Sequence, residues 1–182
     1  MKFDKKFFIK TSLITTLGGI LCFALLEEWI IIKHPWWHAY EQKTPNAFSK
    51  HIASIFVWSN NQWINEKNNM IWAETNVIDN IKLLTQATLT FLFEEEITKK
   101  KVYVEAVMNT ADNTDTLIMF DRNPFSKTMP TRQKLLIIES ILKTIRENGI
   151  KAPKIRFLVN NQTLVDPHLD FSISWPLEGF FE

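Results

Sequence analysis

Apolar and polar positions change their period several times along the chain, and each change marks a predicted element. From Thr11 to Leu26 sixteen residues run without a charge, with Phe7, Phe8 and Ile9 before Lys10 and Trp29–Ile32 after Glu27 and Glu28. A membrane-crossing helix needs roughly 20 residues, at about 1.5 Å each, to span a hydrocarbon core of about 30 Å. The uncharged run reaches that length with its flanks, because the Lys10 ammonium can snorkel toward the headgroups. The pattern predicts one N-terminal transmembrane helix whose anchoring side chains are Leu13, Ile14, Leu17, Ile20, Leu21, Phe23, Leu25 and Leu26. Trp36 and Trp37 suit the interfacial belt that follows such a helix.

Polar residues then take over, with Pro35 and Pro45 among them, and read as a connector. The predicted organisation is residues 1–33 as basic end and anchor, 34–49 as linker, and 50–182 as a single domain of ordinary size. Within that domain Ile52–Trp58 is apolar at nearly every position, the pattern of a strand buried on both faces. Asn60-Asn61 and Asn68-Asn69 are pairs that tolerate positive φ, so a three-strand meander through Gln62–Asn65 and Met70–Ala73 is expected.

The period next becomes helical. Val77, Ile81, Leu84, Thr88 and Leu92 fall on one stripe, with Asn76 as N-cap, predicting a helix over Val77–Glu94. Val102, Val104, Ala106 and Met108 alternate with Tyr103, Glu105 and Val107 into a strand, and Thr116–Phe120 makes another across a polar loop. A second helix follows Pro130, with Leu135, Ile138, Leu142 and Ile145 as its stripe and Asn148-Gly149 as its stop. Ile155, Phe157 and Val159 alternate into a strand that turns at Asn160-Asn161 and returns over Gln162–Val165. Leu169–Trp175 is a last extended piece. Strands, helix, strands, helix and strands predict an α+β domain, a mixed sheet with two helices packed on one face.

Charge decides the orientation. Lys2, Lys5, Lys6 and Lys10 keep the N-terminus cytoplasmic by the positive-inside bias and place the domain outside the plasma membrane. A cleaved signal peptide is the rival, since a basic start, a short apolar run and Cys22-Phe23-Ala24 fit one imperfectly. A lipidated Cys22 fits less well, because Leu21 is large for the preceding position, and a buried helix is unneeded by a chain of 46% hydrophobic residues. Cys22 is the single cysteine, so an exported domain must be held by its core without an intramolecular disulfide. Net charge is +1, and Lys99-Lys100-Lys101 follows Glu94-Glu95-Glu96 as a solvated helix end. No phosphate-binding stripe emerges, so nucleic acid is not an expected partner. Four glycines make a dinucleotide loop implausible, and no cofactor is expected.

Three clusters are candidates for chemistry or contact. Asp166, His168 and Asp170 alternate, and on an extended strand they would share a face able to hold zinc or manganese, with Pro167 and a polar rim as the structural alternative. Arg122 and Asn123 lie in Asp121–Phe125 where a strand ends, either organising a turn or making a contact. Trp58, Trp63, Trp72 and Trp175 are core aromatics or a binding surface, with polar-flanked Trp63 and Trp175 the better surface candidates. Glu139, within the second helix, is expected at its flank. No catalytic residue and no metal ligand is assigned.

The element order and several motifs resemble the GerMN domain, a family named for a spore-germination and sporulation protein, over about residues 50–170. "IFVWSNNQWINEKNNMIW" echoes its first strand pair and "TLIMFDRNPF" its central strand. "ESILKTIRENGIKAPKIRFLVNNQ" follows its long helix and closing strand, through Thr144, Ile150, Ile155, Phe157, Val159 and Asn160. Asn160-Asn161 stands where the family has a glycine turn, and an early arginine is absent. The resemblance implies an outward-facing, membrane-attached interaction or scaffolding domain without catalysis, in an envelope-associated assembly. Its implied partners are other envelope proteins or further copies of the chain. The residues carry no sporulation context. A cell-wall or glycan-binding module using exposed Trp, and a metal-dependent hydrolase using Asp166, His168 and Asp170, are the alternatives.

Overall fold

The computed structural model describes residues 48–152 and 154–180. The anchor residues Leu13 to Leu26, Cys22 and the linker through residue 47 lie outside the described residues. Neither described helix is long and apolar enough to cross a membrane.

The chain enters as a hairpin. Strand β1 (Phe48–Ser59) pairs antiparallel with β2 (Gln62–Ala73) from Phe48↔Ala73 to Ser59↔Gln62. Asn60 and Asn61 turn it at φ 52° and 61°, the left-handed pair that a two-residue hairpin loop requires. The expected three-strand meander is therefore one long ribbon. Asn68-Asn69 lies inside β2 and not at a turn, because the register set at Asn60-Asn61 runs on and the exposed strand accepts polar side chains. Nor is β1 buried on both faces. Ala53, Ile55 and Val57 are buried while Ile52 is exposed, the period-2 pattern of a ribbon with one covered face.

Helix α1 (Val77–Glu94) matches its predicted bounds. The Asn76 side chain accepts the Ile78 and Asp79 N–H groups, and Ile81, Leu84, Thr88 and Leu92 are buried. Strands β3 (Val104–Asn109) and β4 (Thr116–Phe120) form an antiparallel pair. A bulge between Val104 and Ala106 shifts the alternation, so Val107 turns inward and Met108 outward, the reverse of the expected faces. Helix α2 (Thr131–Glu147) crosses over to β5 (Lys154–Val159), parallel to β4. Asn160 and Asn161, at φ 50° and 61°, lead into the short β6 (Gln162–Thr163). The extended piece expected over Leu169–Trp175 is mostly irregular, and only β7 (Trp175–Pro176) pairs with β5.

The α+β class with a mixed sheet and two helices stands, and the hairpin forms a separate two-stranded sheet. β1 packs against both helices. Helix α2 is consequently covered on several sides, with Lys134, Glu139, Ser140 and Thr144 buried beside Ile138, Leu142 and Ile145. Its side chains meet Ile118, Phe120, Ile155 and Phe157 of the sheet in one core cluster, where Phe120 and Phe157 stack at 5.7 Å. This core belongs to a compact unit, Asn46–Glu182.

Candidate functional site

Two side chains at the C-terminal end of α2 clasp the edge of the hairpin. The Ser54 N–H donates to Asn148 Oδ1 at 3.0 Å, and Asn148 Nδ2 donates to the Ser54 carbonyl at 2.7 Å. The Phe56 N–H donates to Thr144 Oγ1 at 2.9 Å. Antiparallel pairing alternates inward and outward backbone groups, so the partners of Ser54 and Phe56, Lys67 and Asn65, turn their own away from β1. The same parity holds for Trp63, Asn69, Ile71 and Ala73. Only Ala73 is occupied there among the described residues: its N–H donates to Asn80 Oδ1 and its carbonyl accepts from Asn80 Nδ2. Among the described residues the rest of the outward β2 edge has no partner.

The candidate contact residues sit in three separate places. Trp63 lies near the hairpin tip, edge-on to Trp58 at 5.3 Å, with the Lys143 ammonium 5.3 Å above it. Trp175 packs between Phe171 and Phe180, at 5.7 and 5.6 Å. Both indoles are half-buried, in different aromatic clusters, and they form no common platform. Arg122 and Asn123 border a cleft of about 630 Å³ between the end of α1 and the loop before α2. Asn123 Oδ1 accepts the Phe125 N–H at 2.8 Å, organising the turn, while Arg122 pairs with Asp121 at 2.7 Å. Burial pushes the Asp121 carboxyl up, but the Tyr103 N–H and the Arg122 guanidinium outweigh it and hold the group below its usual range. Lys99, Lys100 and Lys127 share the cleft with Glu96, above the buried Phe125 and Met129.

Asp166, His168 and Asp170 do not share a ligand face. Asp166 Oδ1 accepts the His168 and Leu169 N–H groups, and Oδ2 meets Lys134 Nζ at 2.5 Å. Burial acts to raise this carboxyl, but the Lys134 hydrogen bond and charge and the two N–H donors together hold it below the usual range. Asp170 accepts the Ser172 hydroxyl and N–H, which hold its own carboxyl down. Their backbone turns instead of extending, and each carboxylate is consumed by the turn it stabilises. No cluster of three or more metal-ligating side chains forms among the described residues.

Three ion pairs not anticipated from sequence fix the irregular last third. Lys134, fully buried on α2, ties down the Asp166 turn. Glu139 is fully buried and not at the helix flank: it pairs with Arg146 at 3.1 Å and accepts the Phe180 N–H, while Arg146 donates to the Leu177 carbonyl. Asp115 accepts Arg156 at 2.6 Å and the Ser174 hydroxyl at 2.8 Å. One signal was present in the sequence, since Lys134 lies four residues before Ile138 on the apolar stripe of α2.

No family model matches the chain, and no curated protein matches it. Among solved structures, a candidate lipoprotein from Clostridium perfringens is similar at 16% identity and a TM-score of 0.42, over 72% of this chain and 89% of that one. The tandem GerMN domains of the sporulation protein GerM from Bacillus subtilis are similar at 12% identity and a TM-score of 0.42, over 76% of this chain and 48% of that one.

Proposed function

We propose that this chain is a single-pass, membrane-anchored protein whose extracytoplasmic α+β domain works by protein contact in an envelope-associated assembly, without catalysis. The observation that carries this reading is the open edge of β2. The outward backbone groups of Trp63, Asn65, Lys67, Asn69 and Ile71 are unpaired among the described residues, and such an edge is a template for strand addition. The basic start and apolar run of the first 33 residues support the anchor and the outward orientation. The Asp166 and Asp170 carboxylates, which could be read as catalytic, have structural partners, which supports a contact role over a reaction.

In-cell crosslinking of the full-length, C-terminally tagged chain, followed by solubilisation and mass spectrometry, tests the proposal. A stoichiometric envelope partner, or a ladder of self-crosslinked species, is the expected result. Recovery of the monomer alone overturns it.

A further inference from the structure

One face of the hairpin has the chemistry of a membrane-contacting surface. Residues opposite one another in an antiparallel pair share a face, so Phe48, Lys50, Ile52, Ser54 and Phe56 lie on the same side as Ala73, Ile71, Asn69, Lys67 and Asn65. At the end where the chain enters, three of these are large, apolar and exposed: Phe48 by 62%, Ile52 by 63% and Ile71 by 67%. Ile71 is directly opposite Lys50 and diagonal to both Phe48 and Ile52, so the three apolar side chains are neighbours around one ammonium. Lys67 follows on the same side. Toward the tip, the Lys143 ammonium reaches over Phe56 and Trp63, 5.3 Å from each ring. None of the hairpin residues on this face is acidic, since Glu66 belongs to the opposite side. The nearby carboxylate is Glu147 of α2, 3.7 Å from Lys143.

Position selects the occupant. Phe48 is the first residue of β1, and the linker over 34–47 spans at most about 50 Å when fully extended. An anchor ending near residue 33 therefore keeps this end of the hairpin within about 50 Å of the bilayer, near enough for the face to reach it. A basic, apolar and acid-free face held there matches the anionic lipid headgroups and the acyl boundary beneath them. We propose that Phe48, Ile52 and Ile71, flanked by Lys50 and Lys67, dock the domain on the outer surface of an anionic membrane. This inference rests on the anchored reading given above.

The test uses the full-length chain with Cys22→Ser, so that an introduced cysteine is unique. An environment-sensitive fluorophore is placed at Ile71→Cys, or at Gln162→Cys as an exposed control, and the chain is reconstituted in phosphatidylcholine vesicles with or without phosphatidylglycerol. On anionic vesicles the label at 71 should be quenched by nitroxide lipids. Its quenching by iodide should fall about fivefold relative to the control. Adding Lys50→Glu and Lys67→Glu should return it to water while the chain still floats with the vesicles. A floating chain whose label at 71 stays as iodide-accessible as the control overturns the docking and spares the anchor. Shielding from iodide without lipid quenching assigns the face to a protein contact and also overturns it. A chain that does not float with either vesicle overturns anchor and docking together.

Discussion

Gly179 occupies a position that no other residue fits comfortably. Its φ is 80°, and a Cβ there would overlap both carboxylate oxygens of Glu139 and approach the Arg146 guanidinium. Gly179→Ala should therefore displace the C-terminal strap, with a loss of about 2 kcal/mol from the left-handed backbone and the weakened pair, read as a lower urea midpoint at unchanged slope. Lys134 and Asp166 make a second test. Lys134→Met strands a buried carboxylate and should cost about 3 kcal/mol, while adding Asp166→Asn should recover some of that loss, because the remaining group is neutral. Asp166 also sets an acid limit. Its carboxyl is held below the ordinary range in the fold, so its contribution is present above the unfolded value of about 3.9 and disappears as pH falls through the lower folded value. Urea unfolding at pH 5 and pH 3 should show that loss, and Asp166→Asn should flatten the difference.

Each hairpin strand has twelve residues, and while Ala53, Ile55 and Val57 pack into the core, the outer edge of β1 is held by Asn148 and Thr144. Asn148→Ala leaves the Ser54 N–H and carbonyl without their partners, and hydrogen exchange at Ser54 should quicken by at least tenfold, for a stability loss of about 1–2 kcal/mol. Elements of this kind divide by how local their determinants are. Asn76 and the stripe of α1, the positive-φ Asn pairs and the Gly149 stop of α2 all act within a few residues, and the sequence makes them legible. Asn68-Asn69 misleads, because a pair that tolerates turns is also tolerated on an exposed strand once the register is fixed elsewhere. The bulge after Val104 has no local marker. Lys134 with Asp166 and Asp115 with Arg156 join residues far apart in the chain, so composition around Asp166 suggests a ligand cluster where the fold builds a turn. Phe48 reads as linker until β2 is laid beside β1, when Ile71 and Ile52 become its neighbours.

At the scale of the molecule, the open edge and the apolar face of the hairpin are perpendicular surfaces and can be occupied together. Asn69→Pro removes an outward N–H without touching the ladder to β1. It should abolish crosslinked assemblies while the urea midpoint stays within about 0.5 kcal/mol of the parent, as expected for a surface change. Tension gives the hairpin a further meaning. A pull transmitted through the linker enters at Phe48, at the open end of the ribbon, beside its partner Ala73. Pairs from Phe48↔Ala73 to Ile52↔Asn69 would then separate in succession, before buried Ala53 has to leave the core. At Ser54 the peel meets the double Asn148 clasp, followed by Thr144 at Phe56, and must break strand and clasp at once. Under the anchored reading the first five residues of β1 would act as an extensible leader, and Asn148 would reinforce β1 where Ala53 enters the core.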